Sequence, residues 1–217
     1  MKKRFGALIL ALILACSLAI PVGAANIEKT PEELYQDYLN AADEINAKYG
    51  SNISIVPLEE MDPNDMPTLE EVRADVTELA TMVACSTTTS APDAGTFSAR
   101  ANTGIGNHPV STTIEKQWAS AKLKFVASIT VVVNYDSSEG KYGIQYVYNP
   151  SVMSTYAPTG YAVTATSNAT WIISTSKKSG IVTRPFKVTY GSATTSYKVT
   201  ASVVLSTASG AVTMTPA

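Results

Sequence analysis

The stretch from Lys122 to Asn134, KLKFVASITVVVN, constrains the fold of this chain more than any other. Leu123, Phe125, Ala127, Ile129, Val131 and Val133 fall on one face of a period-two ribbon, and Lys122, Lys124, Ser128, Thr130 and Asn134 on the other. A ribbon divided in this way is a half-buried strand. Burying the six apolar side chains contributes on the order of ten kcal/mol, an upper bound because an unfolded chain already hides part of that surface.

Later segments repeat the pattern. Asp136-Ser137-Ser138-Glu139-Gly140 is a polar reversal with glycine where a hairpin needs one. Tyr142, Ile144, Tyr146 and Tyr148 then alternate as a second strand, which Asn149-Pro150 stops. Tyr161, Val163 and Ala165 start a third, whose register slips near Asn168 before Trp171 with Ile173 or Ile172 continues it, as at a bulge or bend. Phe186, Val188 and Tyr190 lie between turns at Lys177 to Gly180 and at Gly191, and Pro185 marks that strand as an edge or as broken. Tyr197, Val199, Ala201, Val203 and Leu205 form a long strand, and Ser209-Gly210 turns the chain into Ala211 to Met214. Six strands in succession without a helical crossover predict an antiparallel sheet folded on itself. The expected form is an antiparallel β-sandwich, with a meander barrel as the alternative.

The preceding third reads as helical. Thr30-Pro31-Glu32-Glu33 combines a capping threonine, a proline at the first helical position and a glutamate three residues after the cap, and Gly50 ends the helix. Leu34, Tyr38, Ala41 and Ile45 make one stripe, widened by Tyr35, Ala42 and Tyr49, so these tyrosines read as packing groups rather than a sugar-stacking platform. Ile53, Ile55 and Leu58 form a connector expected to be buried around Pro57. Thr68-Leu69-Glu70-Glu71 opens a second helix with Leu69, Val72, Val76, Leu79 and Val83 as a seam. Two such helices predict an antiparallel hairpin. The run TPEELYQDYLNAADEINAKYGSNISIVPLEEMDPNDMPTLEEV resembles the amino-terminal region of small secreted proteins of Gram-positive bacteria to which no activity has been assigned. That resemblance covers about the first mature third and carries over no functional residue.

The organisation expected is therefore α+β and mainly β: a signal peptide at 1–25, an acidic helical hairpin at 26–85, a linker rich in Ser, Thr and Gly at 86–109, and an antiparallel β domain at 110–217. Lys2, Lys3 and Arg4, the apolar run Gly6 to Ile20, and Val22-Gly23-Ala24 make the signal. Secretion is the expectation, with no transmembrane segment once the signal is removed. Ile13-Leu14-Ala15-Cys16 loosely resembles a lipobox, so a lipid anchor at Cys16 and a cell-surface location form the alternative. The mature chain otherwise keeps only Cys85, which excludes an intramolecular disulfide; Cys85 follows the apolar row of the second helix and reads as a buried small hydrophobe. From Asn26 to Ala80 there are fourteen acids and three bases; from Thr81 to Ala217, four acids and ten bases. Opposite charge suggests that the hairpin docks on the β module, as a fixed cap or a removable pro-segment. The positive charge is spread over many strands, so a nucleic-acid partner is not expected.

The chemistry is sparse. His108 is the single histidine, placed beside a proline in the linker and read as a surface residue, and Gly104-Ile105-Gly106 is too little for a phosphate loop. Asp62, Asn64 and Asp65 suggest calcium, but Met66, Pro67 and Arg73 occupy positions where an EF-hand needs a ligand, a glycine and a glutamate. One His and one Cys cannot make a zinc site, and no G-x-S-x-G sequence presents a serine. No catalytic, metal-binding or cofactor-binding residue is assigned. The function expected is a secreted, non-enzymatic module that binds an unknown extracellular partner. The alternative is a glycan- or wall-active hydrolase working through carboxylates, with Glu115 paired to an acid of the hairpin.

Overall fold

The computed structural model describes residues 29–91, 103–119 and 121–217. Two helices, α1 (Pro31–Tyr49) and α2 (Leu69–Cys85), flank a connector that holds β1 (Ser54–Ile55) and a 3₁₀ turn at Leu58–Glu60. The strands that follow are β2 (Thr87–Ala91), β3 (Gly106–Trp118), β4 (Ala121–Asp136), β5 (Lys141–Tyr156), β6 (Tyr161–Ala165), β7 (Thr170–Ile173), β8 (Ser179–Tyr190), β9 (Ala193–Leu205) and β10 (Val212–Pro216). They form two antiparallel sheets with no closed barrel: β8 and β9 lie at the centre of one, and the other runs β2-β3-β4-β5. The expected α+β, mainly β class with N-terminal helices is what the chain adopts. The signal at 1–25 and Cys16 lie outside the described residues. Among the described residues, no helix is long and apolar enough to cross a membrane.

The alternation of β4 is realised as read: Leu123, Phe125, Ala127, Ile129, Val131 and Val133 are all buried. They meet β8 and β9 of the facing sheet, where Phe186 lies 5.1 Å from Phe125 between ring centroids and Val182, Val188, Val199, Ala201 and Val203 complete the layer. Thr87–Ala91 and Gly106–Pro109, expected as linker, are strand instead. The Thr- and Ser-rich composition of the first and the Gly-Asn-His-Pro sequence of the second masked this, because pairing supplied by β4 holds β3 in place, and β3 holds β2, whatever their own patterns.

The slip expected near Asn168 as a bulge or bend is a full break between two strands, and it explains Pro185. Strands β6 and β7 both pair with the same edge of β8, one after the other, leaving a gap between Ala165 and Thr170. Pro185 faces that gap: its carbonyl accepts from Thr166 N at 3.1 Å, so its nitrogen points the same way, to where a ladder bond is missing. Strand β8 is thus neither an edge nor broken; its neighbour is broken. Arg184 ties the gap to the other sheet, donating from Nε to the Ser167 carbonyl and from a terminal nitrogen to the Val152 carbonyl, each at 2.7 Å.

Both helix starts carry the capping boxes read from sequence, at Thr30 with Glu33 and at Thr68 with Glu71. The connector is longer than a hairpin turn, because β1 leaves the helices to pair with β9, burying Ile53 and Ile55 while Leu58 stays half-buried. Packing against both α1 and the sheets widens the buried stripe of α2 to Val72, Val76, Leu79, Ala80 and Met82. Val83 is exposed, and so is Cys85, contrary to the burial expected, because the last turn of α2 runs past these surfaces.

Docking does not use the opposite charges. Among the described residues, the ion pairs stay within the helical region (Lys29–Asp37, Arg73–Glu44) or within the sheets (Glu115 with Lys124 and Lys122, Lys141–Glu139). Two carboxylates of α2 accept hydrogen bonds from neutral donors instead. Glu78 takes Trp118 Nε1 at 3.0 Å and the Tyr161 hydroxyl at 2.6 Å. Asp75 takes the Ser192 amide at 2.8 Å and its hydroxyl at 2.9 Å. A Cβ at Gly191, where φ is +52°, would overlap the Asp75 carboxylate, so the turn needs glycine for space as well as conformation.

Glu78→Ala would leave the donors of buried Trp118 and half-buried Tyr161 without an acceptor, and urea unfolding should show a loss of about 2–4 kcal/mol, with a smaller loss for Glu78→Gln. Burial holds the Tyr161, Tyr197 and Tyr38 phenols above their ordinary value of 10.0, with the Glu78 bond adding to the effect at Tyr161. These groups keep their protons in the folded chain while the unfolded chain releases them. Stability should therefore hold below about pH 10 and fall as the pH climbs beyond it. Burial lowers the Lys116 ammonium and works in the opposite sense, as one group against three. Thermal unfolding from pH 8 to 11 should show the fall, and Tyr197→Phe should retain more stability at the alkaline end.

Candidate functional site

The second sheet turns its outer face to solvent, and its register fixes what that face carries. Residues directly opposite across strands share a face. Outward rows therefore run Asn107–Val132–Tyr146, Pro109–Thr130–Tyr148, Ser111–Ser128–Ser151, Thr113–Val126–Met153 and Glu115–Lys124–Tyr156. Hydroxyl-bearing and small residues dominate the β3 and β4 columns. The β5 column is aromatic or apolar in every row except that of Ser151.

Two irregularities in β5 create this arrangement. Val132 pairs with Tyr146 but Val133 with Ile144, so Gln145 is an extra residue that turns Ile144 inward and the two tyrosines outward. Tyr146 is 54% exposed and Tyr148 36%, with ring centroids 6.4 Å apart and planes inclined at 35°. Thr130 then pairs with Tyr148 and Ser128 with Ser151, leaving Asn149 and Pro150 opposite Ile129. Asn149 takes the left-handed conformation, φ +52°. Asn149-Pro150, expected to end the strand, bulges it instead, and the proline is tolerated because β5 is an edge. Beside the bulge the face sinks into a depression of about 210 Å³ lined by Pro109, Val110, Ser111, Ser128, Ile129, Thr130 and Asn149.

Among the described residues, no ionisable group lines the depression. The charges of this face sit at its far end, where Glu115 meets Lys124 at 2.6 Å and Lys122 at 3.8 Å. The Lys124 hydrogen bond holds the Glu115 carboxyl below the usual carboxylate range. Thr68 bonds do the same for Glu71, and the Ser138 and Glu139 bonds for Asp136. A glycosidase acid needs its pKa raised, the opposite displacement. Glu115, the residue considered for a catalytic pair, is committed to two lysines.

The other residues weighed from sequence are structural. His108 is 4% exposed, not a surface residue: pairing of β3 with β4 continues to Gly106 and places the ring on the inward face opposite Val131. Its Nε2 donates to the Gly104 carbonyl at 2.9 Å, and Nδ1 has no hydrogen-bond partner among the described residues. Asp62 closes a local turn by accepting from Asn64 N at 2.9 Å. Among the described residues, no group of three or more His, Cys, Asp or Glu is arranged to hold a metal ion. Tyr38 is buried and its hydroxyl donates to the Pro67 carbonyl, as a packing residue. The tyrosines of β5 escaped the sequence reading because simple alternation puts them on the same side as Ile144. A polar Gln145 inside the run and Asn149 before proline were the available signals.

No protein-family model matches the chain, and no curated protein matches its sequence. Among solved structures, the chain is similar to a crystal structure of a hypothetical protein from Listeria monocytogenes EGD-e, with 16% identity over 61% of this chain and 94% of that one, at a TM-score of 0.29. At that score the likeness supports no statement about this protein's role.

The bulge can be tested directly. Asn149→Gly should keep the fold at unchanged stability. Asn149→Val, which disfavours the left-handed conformation, should lower urea-unfolding stability by about 1–2 kcal/mol.

Proposed function

We propose that this protein is an exported, non-catalytic module that binds a ligand outside the cell through the outer face of β3, β4 and β5. The observation that carries this reading is the pair Tyr146 and Tyr148, held open to solvent by a bulge and set beside a depression that no ionisable group lines among the described residues. Large aromatic side chains left uncovered on a rigid sheet are where binding energy concentrates. Five carboxylates are engaged in holding the fold: Glu78 and Asp75 in holding α2, Glu115 with its lysines, Glu71 and Asp136 in capping a helix and a turn. Export rests on the cationic, apolar and small-residue segments of 1–25. Under the same reading the processed chain is recovered from the medium. Recovery in the membrane fraction in a Cys16-dependent manner would instead make it lipid-anchored.

Co-sedimentation of the secreted chain with purified Gram-positive cell walls and with insoluble extracellular-matrix preparations tests the binding role. The double change Tyr146→Ala, Tyr148→Ala should reduce the bound fraction at least about ten-fold while leaving the melting temperature within about 2 °C. Sedimentation that is absent, or unaffected by the double change, would refute the assignment of this face.

A further inference from the structure

A pyranose ring offers two surfaces at once, a face of C–H bonds and a rim of hydroxyls. A site for a neutral glycan therefore combines aromatic rings open to solvent with uncharged donors and acceptors at their side. The outer face of β3 to β5 has both within one pair of rows. Tyr148 stands in the row of Thr130, directly before Asn149, and Tyr146 stands one row further along. The depression next to them is bordered by the hydroxyl residues Ser111, Ser128 and Thr130 and by Asn149. Resting on the binding role assigned to this face above, we propose that its ligand is an uncharged polysaccharide, one sugar stacking on Tyr146 and Tyr148 and a neighbouring sugar seated over Ser128, Thr130 and Asn149.

Charge and shape separate this ligand from its competitors. Among the described residues no cation lines the depression to meet a phosphate-rich or uronic-acid chain, and the two lysines at the far end of the face share the one Glu115 carboxylate. An amphipathic helix or apolar peptide needs a deep apolar groove, whereas this depression holds only about 210 Å³ and is bordered by hydroxyls. The outer face of the other sheet makes the contrast clear. Its exposed patch is aliphatic, built from Ile172, Ile181 and Val204 without an aromatic ring in its floor, and gives a sugar nothing to stack on. Tyr146, Tyr148 and Tyr156 stand on the face that also carries Ser128 and Thr130. The bulge residues lie in a paired strand, so the ring positions and the floor are set before any ligand arrives.

Native electrophoresis of the secreted chain through gels containing soluble β-glucan, xylan or galactomannan, and separately polygalacturonate or heparin, tests the proposal. At least one uncharged polysaccharide should retard the protein. Tyr148→Ala and Tyr146→Ala should each weaken that affinity about ten-fold, and Thr130→Val, which keeps the shape and removes a hydroxyl, several-fold. Ile172→Ala on the opposite face should leave it unchanged. Retardation by the charged polymers alone, or retardation by uncharged ones that survives both tyrosine changes, overturns the proposal. Cell-wall binding separates its failure from that of the broader reading. Tyrosine-dependent sedimentation that persists after periodate oxidation of the wall sugars would sink the glycan and keep the binding face. No tyrosine-dependent binding to walls, matrix or any polysaccharide would sink both.

Discussion

The inward row of β4, Leu123 to Val133, is the contact on which the remaining structure depends. It lies between β3 and β5 in its own sheet and against β8 and β9 in the other, so each neighbour is placed by reference to it. Fully burying one large apolar side chain contributes about 1.5–3 kcal/mol, and this row buries five besides Ala127. Strands with weak patterns of their own can form beside such a row. Strand β3, carrying Asn107, His108, Pro109 and Ser111, is held by pairing with β4 along its whole length.

The helices extend that core. One continuous apolar cluster runs from Tyr38 and Ile45 of α1 through Val72, Val76 and Leu79 of α2 to the two sheets. Helix α2 brings two carboxylates to this contact, and their partners are an indole, a phenol, a serine hydroxyl and a backbone amide. Each is a charge-assisted hydrogen bond that fixes the helix in rotation and height, a directional constraint that the large charge difference between the two parts of the chain could not supply. Removing one such acceptor leaves its donors unpaired, which makes the contact specific as well as stabilising.

The candidate site arises where the regular pairing fails. A strand without irregularities would bury every second residue of Tyr142 to Tyr148 and leave no ring beside a hollow. The extra residues at Gln145 and at Asn149-Pro150 reverse that order locally, and the cost of a left-handed Asn149 is kept on an edge strand where a missing ladder bond matters least. The rings and hydroxyls stay fixed because the central strand behind them carries the fold.

The sequence by itself determined the periods: the half-buried β4, both capped helices with their apolar stripes, the long β9, the loss of register near Asn168, and the antiparallel, mainly β class. These are local properties, set by side-chain spacing, caps and turn residues within one element. Only the tertiary structure decided which side of β5 its tyrosines occupy, because a one-residue offset reverses every side chain beyond it and the offset is set by the partner strand. The same holds for His108, whose burial comes from β4, and for Pro185, whose missing donor is excused by a gap between two other strands. Cys85 and Val83 continue the helical period yet lie exposed, because a period states which residues share a face and not how far the neighbouring surface extends.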